Sequence, residues 1–386
     1  MLSTLPRTHM KTLQNPPSVV LQQSSAKRIV QLDGLRAFAF LAVFCNHAIP
    51  VPLMWVGVDI FFVMSGFLIT GILLNSKSQS GAVLFGRFYA RRARRILPPY
   101  CVALGLAVAL RSDVDWRSVW PWLAALSANV PVAFIPNSLG PLGVLWSLAV
   151  EEHFYLAWPL LIHGFNRKTL RRILTLVILV VPLLRLVSTP FASQYLVIFT
   201  LTPFRVDALA AGSLIALTWD EDWAKVMSWQ SRSKWIMMVV GGALAGLAFL
   251  YPEFRAKANS LIFNTVGLSM SMVASAALVI YVLTLCEGWA YSLLTNRIVV
   301  GLGTISYMAY LVHDIFLSAI GNSRPVPIIA AFISTVAFSA VSWNFVEAPI
   351  LGRRQTDLVP NKIQRSMNRM RVILKRFLML LPRGPD

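Results

Sequence analysis

The sequence predicts an all-α, polytopic integral membrane protein of about ten transmembrane helices, and three observations predict it. Of the 386 residues, 56% are hydrophobic and only 13% are charged, with a mean hydropathy of +0.65; a soluble chain carries roughly a quarter of its residues charged. The apolar residues gather into ten uncharged or nearly uncharged runs, 29–49, 56–74, 96–111, 142–163, 173–188, 195–217, 235–251, 260–285, 298–320 and 326–347. The basic residues are segregated: with the N-terminus inside, 27 of the 35 fall in cytoplasmic segments, as the positive-inside rule requires. The net charge of +19 therefore points to a membrane surface and not to nucleic acid, and both termini are expected in the cytoplasm.

The first run, QLDGLRAFAFLAVFCNH and its flanks, contains Asp33, Arg36 and His47. Ionisable groups at membrane depth are costly unless they have a partner or a task. Arg36 and His47 are eleven residues apart, so on a helix they project within about 20° of one another and about 16 Å apart along the axis. The second run, GVDIFFVMSGFLITG, follows a short turn containing Pro50 and Pro52 and places Asp59 at the depth of His47. Asp59 has two readings: it orients the His47 imidazole and raises its basicity, or it caps the second helix. Gly57, Ser65 and Gly66 are expected at close-packing positions.

The third run is preceded by FGRFYARRARRILPPY. Arg87, Arg91 and Arg94 are read as positive-inside charge. Arg92 and Arg95 share one helical face immediately before the apolar run and are expected to grip phosphate groups. The stretch 119–135 is apolar but holds Pro121 and Pro131, with Pro136 beside it; an interfacial or re-entrant segment suits it better than a crossing. Counting it as a crossing would also place Arg167, Lys168, Arg171 and Arg172 outside.

The fourth run holds WSLAVEEHFYLAWP, with Glu151 and Glu152 near mid-membrane, where they must be paired, protonated or functional. The sixth holds FRVDALAAG, so Arg205 is a natural partner for one glutamate, or else a member of a structural ion pair. The ninth, GLGTISYMAYLVHDIF, brings in Tyr307, Tyr310 and His313, with His313 toward the outside. Trp146, Tyr155, Tyr307 and His313 are expected to contact a substrate. The tenth ends WNFVEAPI, and Glu347 terminates that helix or pairs with an arginine.

Residues 1–28 lack the apolar core of a cleavable signal and are expected to form a disordered cytoplasmic lead. The basic tail 351–386 places Met367, Met370, Ile373, Phe377 and Leu381 at helical spacing, which predicts an interfacial helix on anionic lipid. Cys45, Cys101 and Cys286 have no metal-ligand or disulfide spacing and are expected as small core hydrophobes. No zinc spacing, phosphate-binding glycine loop or nucleophile elbow occurs, so no metal is expected.

Taken together, LDGLRA with His47 eleven residues after Arg36, GVDIFFVMSGFLIT, RRARRILPPY, WSLAVEEHFYLAWP, FRVDALAAGS, ISYMAYLVH and FVEAPI resemble, in order, the acyltransferase 3 family of bacterial integral-membrane O-acyltransferases. The resemblance covers residues 30 to 350. It implies transfer of an acyl group, most often acetyl from acetyl-CoA, to a hydroxyl of a cell-envelope carbohydrate or glycolipid, in the bacterial inner membrane. It also implies that His47 and Arg36 form the family's catalytic pair and that Arg92 and Arg95 lie near the CoA side of a central acyl-transfer channel. His153 stands where the family usually has glutamine. A stand-alone form, without a fused periplasmic domain, is expected. On this reading His47 is the general base, with Asp59 and Glu152 beside it in the catalytic group, and Arg205 joins Arg92 and Arg95 along the acyl-CoA path. A transporter or flippase of lipid-linked sugars would also bury such residues, although the sequence has no pair of matching halves.

Overall fold

The computed structural model describes residues 29–352 except 50, 78–80, 252–253, 255–258 and 323. The expected lead 1–28 and the amphipathic segment of the tail lie outside the described residues. Every described regular element is a helix. α1 (Val30–Ala48), α2 (Val56–Asn75) and α3 (Gly81–Ala109) lead into the short α4 (Trp116–Ala124) and α5 (Asn129–Phe134), then a 3-10 turn over Gly140–Leu145. α6 (Trp146–Gly164), α7 (Arg167–Ser188), α8 (Tyr195–Thr200), α9 (Val206–Glu221), α10 (Trp223–Met227) and α11 (Gln230–Leu250) follow. A π-turn, Phe263–Gly267, opens α12 (Leu268–Thr284); α13 (Trp289–Leu294), α14 (Arg297–Ile320) and α15 (Pro325–Ser342) come next. A second π-turn, Trp343–Glu347, and α16 (Ala348–Ile350) complete the described chain.

Six helices among the described residues are long and apolar enough to cross a bilayer: α2, α7 extended to Phe191, α11, Phe263–Thr284, α14 and Pro325–Ile350. The other four expected runs are helical too, but polar groups or breaks interrupt them. α1 carries Asp33, Arg36 and His47, the first half of α3 is rich in arginine, and α6 contains the two glutamates. The run 195–217 is not one helix. A 3-10 turn at Thr202–Phe204 divides it into α8 and α9, because Pro203 has no amide hydrogen for an α-helical bond. The apolar stretch 119–135 is split between α4 and α5, with Leu126 between them at φ 53°. Nine residues of α4 reach only about 14 Å, well short of a bilayer core.

α2 packs most closely on α9, and α1 on α14. Glycine makes both approaches possible. A Cβ on Gly66 would collide with the Leu209 carbonyl, one on Gly212 with that of Val63, and one on Gly303 with that of Asp33. Small residues bring helix backbones together where lipid supplies no hydrophobic drive for association. α7, α11 and α15 stand at the periphery, exposing Leu179, Leu183 and Val187, Val239 and Phe249, and Val326, Ile329 and Ile333. An apolar belt of that extent suits acyl chains and not water. The cysteines are not core residues as expected: Cys45 is half-buried, while Cys101 and Cys286 are exposed and unbridged.

Candidate active site

α1, α2, α3, α6 and α14 enclose a cavity of ≈ 450 Å³. It follows α2 from Asn75 to Val58, about 25 Å of helix, which is most of a bilayer's hydrocarbon thickness of about 30 Å. At one end the wall is rich in charge. Asp33 and Arg36 reach it from α1, Arg92 and Arg95 from α3, and Glu347 from the second π-turn. The π-turn adds a residue to the helical turn, and Ser342 Oγ donates to the Glu347 carboxylate (3.4 Å) from the same segment. Arg36 donates to Asp33 (3.0 Å), Glu347 lies close enough to Arg95 for their charges to interact, and Arg36 and Arg95 face each other as like charges.

The arginines of α3 sort by helical face. Arg87, Arg91 and Arg94 are exposed, while Arg92 and Arg95 are half-buried and line the cavity. The Arg92 guanidinium lies 4.8 Å from the centre of the Tyr155 ring, a cation–π arrangement that fixes its plane. Tyr155 in turn donates to Glu151 (3.2 Å), whose other oxygen accepts from Ser65 Oγ (2.5 Å). Glu151, not the expected Glu152, therefore faces the cavity. Successive helical positions diverge by 100°, and Glu152 is turned behind the wall with its Oε1 buried and making no hydrogen bond.

At the other end the cavity stops at Val58, Ser147 and Tyr310. Tyr307, also on the wall, donates to the Ile96 carbonyl at 3.4 Å. The Tyr310 hydroxyl and Ser147 Oγ are 2.6 Å apart. One turn further along α14, His313 is completely buried. Its Nδ1 is 2.7 Å from the Tyr310 carbonyl oxygen, and its Nε2 is 2.9 Å from Nδ1 of His47. His47 itself is half-buried, and the neighbouring Asp314 interacts with it electrostatically. Arg36 thus lies about two turns inside the start of α1, where Ile29, Leu32 and Asp33 also line the cavity, and His47 lies in the helix's last turn, beside His313, one turn of α14 beyond the cavity's Tyr310.

Four expected placements are corrected. Asp59 does not hold His47: its carboxylate accepts from Arg205 (2.5 Å) and from Ser271. Arg205 neither meets the glutamates nor lines the cavity; it is 1% exposed and boxed by Phe62, Trp146 and Phe199. Beside it Arg185 pairs with Asp207, so two buried ion pairs tie α2, α7 and the start of α9 together, and the Ser271 hydrogen bond adds α12. His313 and Trp146 do not line the cavity either. His313 has both nitrogens engaged, and Trp146 packs on Phe62 and Phe199 behind the wall. His153, at the position where glutamine was usual, bridges Thr202 (2.7 Å) and Ser127 (3.1 Å). Sequence reasoning missed Glu151 as the cavity-facing carboxylate, and it missed Asp314, which the HD pair in the ninth run did signal. Among the described residues no group of three His, Cys, Asp or Glu is arranged to hold a metal.

Comparison with known proteins matches an acyltransferase domain family over residues 29–345. A Bacillus subtilis protein named "Putative peptidoglycan O-acetyltransferase YrhL" is 30% identical over 353 residues, covering 83% of this chain and 54% of its own length. Staphylococcus aureus "O-acetyltransferase OatA" is 27% identical over 357 residues, 84% of this chain and 58% of its own. The chain thus spans little more than half the length of these curated relatives. No solved structure matches it.

Proposed function

Because the chain belongs to the acyltransferase domain family, we propose that it is a membrane-bound O-acyltransferase that moves an acyl group, acetyl in the first instance, from acyl-CoA to a hydroxyl of a cell-envelope carbohydrate or glycolipid. The observation that carries this reading is the single helix α1, which sets a guanidinium at one end of a membrane-length cavity and an imidazole just beyond the other. Peptidoglycan, named for one relative, joins O-antigen and exopolysaccharide as an acceptor class. α1, α3, α6 and the α8–α9 pair then cross the bacterial inner membrane as well, making ten crossings with both termini cytoplasmic.

Coenzyme A is a polyanion on a long thin arm. Its phosphates suit Arg92 and Arg95, since planar guanidinium groups bind phosphate oxygens in pairs, and the arm follows the cavity toward Tyr310. His47 takes the proton of the acceptor hydroxyl as that oxygen attacks the thioester carbonyl. The carbon–sulfur bond breaks, and the proton returns from His47 to the departing thiolate. Arg36 stands nearer the arginine end and steadies the negative charge of the donor. Asp314 offsets the charge of the transient imidazolium.

Purified protein in lipid nanodiscs, supplied with labelled acyl-CoA and envelope glycan, tests this. Thioester consumption with label appearing on the glycan is expected; glycan movement without thioester consumption would mean transport. Arg92→Ala and Arg95→Ala are each expected to raise the KM for acyl-CoA by about 10-fold or more, the loss of one charge-assisted contact of about 1.5–3 kcal/mol, with kcat changed much less. An unchanged KM in folded variants would leave these arginines as surface charge only.

A further inference from the structure

We infer that His313 is a positioning residue that sets the tautomer of His47 and leaves Nε2 of His47 as the basic nitrogen; the inference rests on His47 acting as the base. The argument runs along a chain of three groups. The Tyr310 carbonyl can only accept a hydrogen bond, so the 2.7 Å contact to His313 Nδ1 requires a proton on that nitrogen. His313 is 0% exposed, packed against Phe40, Phe44 and Tyr310, and among the described residues no carboxylate is bonded to either nitrogen. A ring so enclosed is neutral, because burying an uncompensated charge is far more costly than burying a hydrogen-bonded neutral ring. Its Nε2 is therefore an acceptor.

The 2.9 Å contact between His313 Nε2 and His47 Nδ1 must then be donated by His47. A neutral His47 that carries its proton on Nδ1 has a bare Nε2, the nitrogen free to receive the hydroxyl proton. Among the described residues no hydrogen bond occupies that nitrogen. This is the arrangement in which an orienting partner fixes which ring nitrogen does the chemistry, with an imidazole in place of the usual carboxylate. When His47 becomes charged it still donates through Nδ1, so no ring flip is needed during the cycle. The backbone of α14 anchors the whole series, since the Tyr310 carbonyl is one turn before His313 on the same helix.

The test combines spectroscopy with kinetics. In nanodisc-embedded protein labelled with 15N-histidine and assigned through His47→Ala and His313→Gln, His47 is expected to show a protonated Nδ1 and an unprotonated Nε2 at neutral pH; the opposite pattern overturns the inference whatever the activity. His313→Leu is expected to lower kcat about 10- to 100-fold with the KM for acyl-CoA unchanged. His313→Gln, which returns an acceptor oxygen near the position of Nε2, is expected to restore most of the loss. Full kcat in folded His313→Leu, or a change confined to KM, would overturn the positioning role. Should His47→Ala keep its activity while the spectra show the Nδ1 tautomer, the functional reading fails and the tautomer assignment stands. If the leucine variant does not fold, the wild-type spectrum decides alone.

Discussion

His47→Ala is expected to lower the kcat for acyl transfer by about 100- to 10,000-fold, the range that a positioned general base contributes, with the protein still folded in the membrane. The imidazole is half-buried at the end of α1, so its removal leaves no large core cavity, and Arg36, at the arginine-rich end of the cavity, lies about 16 Å away along the helix. The KM for acyl-CoA should therefore hold. Activity within a few-fold of wild type in a folded variant would remove His47 from the mechanism.

Asp59→Ala is expected to give the second large effect, one on stability. The carboxylate is 2% exposed and bonded to Arg205, which among the described residues has no other carboxylate bonded to it. Removing one partner of a buried pair leaves an uncompensated charge, at about 3–5 kcal/mol. Thermal unfolding in detergent should fall sharply, and Arg205→Met should do the same. The double variant Asp59→Ala/Arg205→Met should be more stable than the sum of the single losses predicts, because it strands no charge. Strict additivity would show that the pair does not act as a unit. A folded Asp59→Ala enzyme that had lost only kcat would return Asp59 to the service of His47.

Asp59 shows where sequence reasoning stops. Its depth beside His47 followed from two helices and a short turn, but depth along a helix does not say which way a side chain points around it. The partner came instead from the N-cap of α9, 146 residues away, and no local pattern encodes such a pairing. The same limit applied to Arg205, whose orientation depends on the 3-10 turn at Pro203 that ends α8. Within single helices the pattern was far more legible. Eleven residues set Arg36 about three turns before His47 on α1, and three residues put Arg92 and Arg95 on the cavity face while Arg87, Arg91 and Arg94 turned outward. The adjacent pair Glu151 and Glu152 was the intermediate case. Periodicity guaranteed that they would face apart, yet only the position of Ser65 and Tyr155 decides which of them looks into the cavity. His313 was legible as a histidine at the depth of His47, but its hydrogen bond is a matter of α1 lying against α14, which the glycine contact at Gly303 makes possible.

Acyl-CoA confined to one side of sealed proteoliposomes of known orientation gives the most direct measure of the central claim. Label should reach a carbohydrate acceptor supplied at the His47 face when the thioester is presented at the face bearing Arg92 and Arg95, and not when it is presented at the His47 face alone. Transfer from thioester offered only at the His47 face would contradict a cavity that carries the acyl group along α1.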